Sequence, residues 1–182
     1  MSRLFVAILP PATVCAELGA LATKLPGVRW VPEENLHLTL RFIGDAPADQ
    51  EREFGDALSA VNVEPFILPV GTIGVFPSRG RAKVLWAGVG HGHTRLFQLR
   101  KQIDEALLSV DATLDVHHFQ PHFTLARLEA EYESKKLARF IEQHANFEAP
   151  PFRVREFVLM DSTIKHGAAP AYRAVKKVVL PA

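Results

Sequence analysis

Leu36-His37-Leu38-Thr39-Leu40-Arg41-Phe42-Ile43 reads as a β-strand, and its form returns in Phe119-Gln120-Pro121-His122-Phe123-Thr124-Leu125-Ala126-Arg127. Both stretches contain His-apolar-Thr-Leu. His37 and His122 are 85 residues apart in a chain of 182, close to half its length. Each copy follows a helical pattern and a turn, which points to an internal duplication with two halves facing across a pseudo-two-fold axis. Alternate side chains of a strand share a face. His37, Thr39 and Arg41 are therefore expected on one face, with Leu36, Leu38, Leu40 and Phe42 turned into a core. His122 and Thr124 are expected to stand opposite Phe123 and Leu125 in the same way. In a regular strand Arg127 would share the face of Phe123, so only a bulge or the strand's end would swing it towards His122.

Working outward, Arg3 to Leu9 reads as a strand, followed by a helix from Pro11 with an inward stripe of Val14, Leu18, Leu21 and Leu25, ended by Gly27. Val28 to Val31 is a short strand and Pro32 to Asn35 a turn. A second helix runs from Pro47 to Val61. Phe66 to Phe76 and Lys83 to Val89 are strands joined by a Pro-Ser-Arg-Gly-Arg turn. Thr94 to Ser109 and Glu131 to His144 are helices, and Phe152 to Met160 and Tyr172 to Leu180 are closing strands. Several strand pairs are joined by short turns. The expected fold is α+β, a single two-lobed domain over 1–182, with antiparallel or mixed sheets lining a central cleft and helices outside.

The chain carries 21 Lys+Arg and 20 Asp+Glu, and 48% of its residues are hydrophobic, which excludes general disorder. A net charge of +1 argues against holding long nucleic acid by bulk electrostatics, although a local cluster suffices for one phosphate. Cys15 is the only cysteine, so there is no internal disulfide and no Cys/His metal set. The first apolar run is cut by Pro10 and Pro11, too short for a membrane span and unlike a signal peptide. A soluble, cytoplasmic monomer without membrane contact is expected.

Two imidazoles facing across a cleft suit acid–base chemistry, because an unperturbed ring titrates near ~6.5 and one ring accepts a proton while the other donates. A phosphodiester needs both acts, on opposite sides of phosphorus. Thr39 and Thr124 would hydrogen-bond the non-bridging oxygens. No metal and no cofactor is required by this set.

At these residues the sequence resembles the two-histidine phosphoesterase superfamily, and within it the RNA 2′,3′-cyclic phosphodiesterases, historically described as 2′-5′ RNA ligases. The resemblance is carried by VRWVPEENLHLTLRFIGD (Val28 to Asp45) and FQPHFTLAR (Phe119 to Arg127), with support from RLFVAILP and GVFPSRGRAKVLWAGV (Gly74 to Val89). It implies a bilobal fold with one motif per lobe. It also implies hydrolysis of a terminal RNA 2′,3′-cyclic phosphate to a 2′-phosphomonoester, with reverse 2′-5′ ligation as the backward reaction. His37 is then the proton donor to the leaving ribose oxygen and His122 the acceptor that activates water. Thr39 and Thr124 bind phosphate, and Arg127 is the cation beside it. The repeats' symmetry alone leaves the acid and base assignment open. A hydrolase of a small nucleotide cyclic phosphate and a non-catalytic RNA-end binder are the competing readings.

Arg41 is added to the substrate-binding set by its strand face. Arg79, Arg81 and Lys83 form a basic turn, and Phe5, Phe42 and Trp30 are aromatics that either stack a base or fill the core. His91-Gly92-His93 and His117-His118 lack the spacing of a metal site. Lys165, His166 and Gly167 occupy a late loop.

Overall fold

The computed structural model describes residues 2–90, 94–113, 115, 118–163 and 170–181. Its elements are β1 (Ser2–Ile8), α1 (Ala12–Gly19), β2 (Val28–Trp30), β3 (Leu38–Ala46), α2 (Ala48–Leu58), β4 (Phe66–Phe76), β5 (Val84–Val89), α3 (Thr94–Leu108), β6 (His122–Leu128), α4 (Ser134–Gln143), β7 (Glu148–Val154), β8 (Glu156–Thr163) and β9 (Ala171–Val179). All the strand pairs are antiparallel. Eight strands run in the order β7-β4-β5-β6-β3-β1-β8-β9, with β2 against β6. That order is symmetric about the β6–β3 seam, so each four-strand half carries one motif strand next to its centre. The halves exchange strands: β4 comes from the first half of the sequence but lies in the sheet half that holds β6.

The stretch expected as one strand from Phe152 to Met160 is two, broken at Arg155. β7 pairs with β4 and β8 with β1, far apart in the sheet order. A flat sheet would separate β7 from β8 by roughly 29 Å at the usual spacing between strands. Val154 to Glu156 spans at most about 7 Å. The sheet therefore curls, and the Leu180 N–H holds the corner by donating to the Arg155 carbonyl at 2.8 Å. The first helix also stops earlier than expected, at Gly19. Residues 20–27 are irregular backbone with a turn at each end, and Gly27 has φ +71°.

β1 is apolar from Leu4 to Ile8 because that stretch is covered on both faces. Leu4, Val6 and Ile8 enter the main core with the helices' apolar stripes. Phe5 and Ala7 pack on the opposite face with Val158, Met160 and Tyr172.

β3 is not regular. Ala7 pairs with Thr39 but Val6 pairs with Arg41, which leaves Leu40 as an extra residue. This bulge reverses the parity beyond it. Arg41 accordingly leaves the face of His37 and Thr39 and is buried, 1% exposed, correcting its expected place in the substrate-binding set. It donates to Asp104 Oδ1 and to the Thr113 carbonyl. Arg100 donates to Asp104 Oδ2 at 2.7 Å, to Asp115 at 3.3 Å and to the carbonyl of the bulge residue Leu40. Phe42, expected in the core, is turned out on the other face and is 60% exposed.

Removing one partner of such a buried network strands the others' charge. Asp104→Ala is expected to lower unfolding free energy by about 3 kcal/mol in urea titration. Arg52→Ala, which removes an exposed i,i+4 pair with Asp56, is expected to change it by less than about 0.5 kcal/mol.

Candidate active site

β3 and β6 touch through one pair, Leu38 opposite Phe123, both fully buried in the main core. In an antiparallel register that pair sets His37 against Thr124 and Thr39 against His122 on the opposite face. The two histidines are then diagonal neighbours, about 7–8 Å apart at the backbone. All four side chains are partly buried. A phosphate's four oxygens suit a space lined by two rings and two hydroxyls at that separation.

The second strand repeats the first in detail. Leu85 pairs with Ala126 but Trp86 with Thr124, so Leu125 is an extra residue, as Leu40 is in β3. The bulge turns Arg127 out, exposed, onto the face of His122 and Thr124. The sequence required such a distortion before Arg127 could reach the cleft. In each motif the sixth residue is the one exposed beyond the bulge: Phe42 in the first, Arg127 in the second.

Both rings are oriented alike. His37 Nδ1 lies 2.7 Å from the Asn35 carbonyl, and His122 Nδ1 lies 2.7 Å from the Gln120 carbonyl. A carbonyl only accepts, so Nδ1 carries the proton in both rings and Nε2 is left for the cleft. Aromatic rings hold the imidazoles from the side. Phe5 and Tyr172 lie 5.0 and 5.1 Å from the His37 ring centre, and Phe76 lies 4.9 Å from that of His122.

Burial pushes the His37 pKa below the ordinary imidazole value, against the raising effect of its bond to Asn35; His122 and Arg127 push it further down. Burial likewise lowers His122, against its bond to Gln120. Tyr172 is raised by burial and drawn back by Arg127. Arg127 thus acts on His37 and Tyr172 across the seam.

Of the other expected residues, Trp30 stacks edge-on to Phe140 and donates from Nε1 to the Thr23 carbonyl at 2.8 Å, away from the motifs. Phe5 is buried against His37 and Phe42. His118 is exposed. His91, Gly92, His93, His117, Lys165, His166 and Gly167 lie outside the described residues. Tyr172 and Phe76 have no local sequence signal as histidine neighbours, because long-range pairing alone brings them there.

The family model described as LigT like Phosphoesterase matches residues 8–86 and 89–169, one stretch around each motif. The fold and the twice-matched sequence define a phosphoesterase of duplicated build. The chain belongs to the LigT-like phosphoesterase family. It is similar to the RNA 2′,3′-cyclic phosphodiesterase of Aeropyrum pernix, with 29% identity over 151 residues, 83% of this chain and 85% of that one. The protein of that name in Aquifex aeolicus is 30% identical over 157 residues, 84% of this chain and 81% of that one. Among solved structures, E. coli LigT complexed with 3′-AMP matches with a TM-score of 0.78 at 25% identity, covering 98% of this chain and 98% of that one. TT0787 of Thermus thermophilus matches with a TM-score of 0.77 at 25% identity, over 98% of this chain and 97% of that one. Among the described residues no helix is long and apolar enough to cross a membrane.

The depressed imidazoles bear on both stability and binding. A native state whose histidines titrate below the unfolded value binds fewer protons than the unfolded chain as pH falls past ~6.5. The stability present above that pH is therefore lost on acidification through the folded pKa values. Urea midpoints should fall with pH in this window, and less steeply in His37→Gln and His122→Gln. Conversely, inorganic phosphate in the cleft favours the charged rings. Both imidazole titrations followed by NMR should move upward on its addition, and a Thr39→Val/Thr124→Val variant should need more phosphate.

Proposed function

We propose that the cleft between the two motifs hydrolyses a terminal RNA 2′,3′-cyclic phosphate to a 2′-phosphomonoester by acid–base catalysis from His37 and His122. The observation that carries this reading is the matched pair of rings, each with Nδ1–H fixed on a carbonyl and Nε2 free, placed diagonally across one seam. The names of the relatives support the substrate class. The whole chain acts as one two-lobed unit, because each sheet half borrows strands from the other half of the sequence.

Water attacks phosphorus and passes its proton to His122 Nε2. The P–O3′ bond breaks on the far side, and O3′ takes a proton from His37 Nε2. The product leaves with a 2′-phosphate, His37 neutral and His122 charged; exchange with solvent restores the pair. Thr39 and Thr124 donate to the non-bridging oxygens, and Arg127 balances their negative charge. His37 must be protonated to act although burial, His122 and Arg127 depress it in the free protein. The phosphodiester's negative charge, once bound, offsets that depression. With the 5′-hydroxyl of a second strand in place of water, the same two proton transfers join it to the cyclic end through a 2′-5′ linkage as O3′ leaves, the reverse of cleaving that linkage. Hydrolysis dominates because water far outnumbers RNA hydroxyls as the nucleophile.

The test is product analysis on an RNA with a cyclic end. Wild-type protein is expected to yield a 2′-phosphomonoester, with turnover that survives chelators. His37→Ala and His122→Ala should each lose roughly 10²- to 10⁴-fold in kcat while the protein still binds the product. Near-normal hydrolysis by either variant, or a 3′-phosphate product, contradicts the assignment.

A further inference from the structure

The pseudo-symmetry that duplicates the motifs is broken at one position, the exposed residue beyond each bulge: Phe42 in the first copy and Arg127 in the second. The seam register puts Arg127 at the end of the cleft nearer His37, and Phe42 at the end nearer His122. The Arg127 end continues into a cluster of further exposed cations. Val84, the first residue of β5, is the Cα partner of Arg127. Phe76, the last residue of β4, has its ring against His122. The β4–β5 hairpin therefore borders the cleft with both strands, and its turn, residues 77–83, projects from that end. Gly80 holds the turn at φ +79°, a conformation open to glycine and strained for most other residues.

The turn exposes Arg79, Arg81 and Lys83. Arg81 lies 6.0 Å from the centre of the Tyr132 ring. Among the described residues, no carboxylate pairs with Arg79, Arg81, Lys83 or Arg127. By contrast Arg29, the cross-strand partner of Arg127, is held by Glu129 at 3.2 Å. Arg173, Lys176 and Lys177 of β9 are each matched to acids. At the Phe42 end, Arg41 is buried and neutralised by Asp104. A chain with a net charge of +1 thus keeps uncompensated positive charge at one end of its cleft.

We propose that the turn 77–83 is the binding surface for the RNA strand upstream of the reacting end, whose phosphates pass from Arg127 onto Arg79, Arg81 and Lys83. This rests on the phosphodiesterase reading of the cleft and narrows its substrate to an oligonucleotide rather than a free cyclic nucleotide. It also breaks the symmetry between the two histidines. A strand leaving over Arg127 places its terminal ribose on the His37 side, so His37 faces the leaving ribose oxygen and His122 faces water.

The experiment compares an oligoribonucleotide ending in a 2′,3′-cyclic phosphate with the cyclic mononucleotide, in wild type and in Arg79→Ala/Arg81→Ala/Lys83→Ala, across salt concentrations. These positions are exposed turn residues, and thermal melts verify that the variant folds. Wild type should favour the oligonucleotide, with log(kcat/KM) falling against log[salt] by about 0.7 per phosphate neutralised. The variant should raise KM for the oligonucleotide about 10-fold and flatten that slope. Its kcat, and its kinetics on the mononucleotide, should not change. An unchanged KM and slope, a parallel loss on both substrates, or a wild type that does not distinguish them overturns the proposal. If wild type hydrolyses neither substrate, the acid–base reading fails separately. The surface is then judged by binding of a 2′-phosphate-ended oligonucleotide: binding weakened in the variant sustains it, and equal binding overturns it.

Discussion

Everything at the candidate site hangs on a seam one residue pair wide. Leu38 and Phe123 are the Cα partners that join β3 to β6, and both are buried completely. Their side chains fix the two strands through the hydrophobic core. The opposite face at the same point carries two imidazoles and two hydroxyls. Because a strand alternates, burial of this apolar pair obliges the polar set to face the cleft. Sliding either strand by one residue would put the histidines into the core and the apolar pair into the cleft, so the core's stability enforces the register of the site.

The bulges at Leu40 and Leu125 are the second constraint. Each reverses parity just after the His-x-Thr pair and exposes the residue two beyond it. In β3 the freed Leu40 carbonyl is met by Arg100, which also binds Asp104 and Asp115 and lies 5.4 Å from the ring of Phe119. Arg41, through Thr113 and Asp104, reaches the same helix and the same incoming segment. One buried polar network thus ties the distortion behind the first motif to the chain that leads into the second. A network with most of its donors matched specifies geometry more than it adds stability.

Much of this was legible in the sequence, for a physical reason. The two motifs alternate polar and apolar residues cleanly over His37 to Leu40 and over His122 to Leu125, so period two assigned their faces correctly. The same rule failed at Arg41 and Phe42, where a bulge shifts the parity and the sequence offers no glycine to announce it. At Arg127 the chemistry demanded a distortion that periodicity did not show, and the distortion is there. The break at Arg155 was hidden because the residues on either side remain strand-like. Only the closure of the curled sheet requires β7 and β8 to part. Tyr172 and Phe76, which brace the two rings, come from strands distant in sequence, and no local pattern marks them.

The central claim is that both imidazoles act on one phosphorus atom, in opposite protonation roles. The pH dependence of kcat/KM for a cyclic-phosphate-ended RNA tests it most directly. The account predicts a bell-shaped profile in the wild type, with the alkaline limb lost in His37→Gln and the acidic limb lost in His122→Gln. A profile that keeps both limbs after either substitution would contradict it.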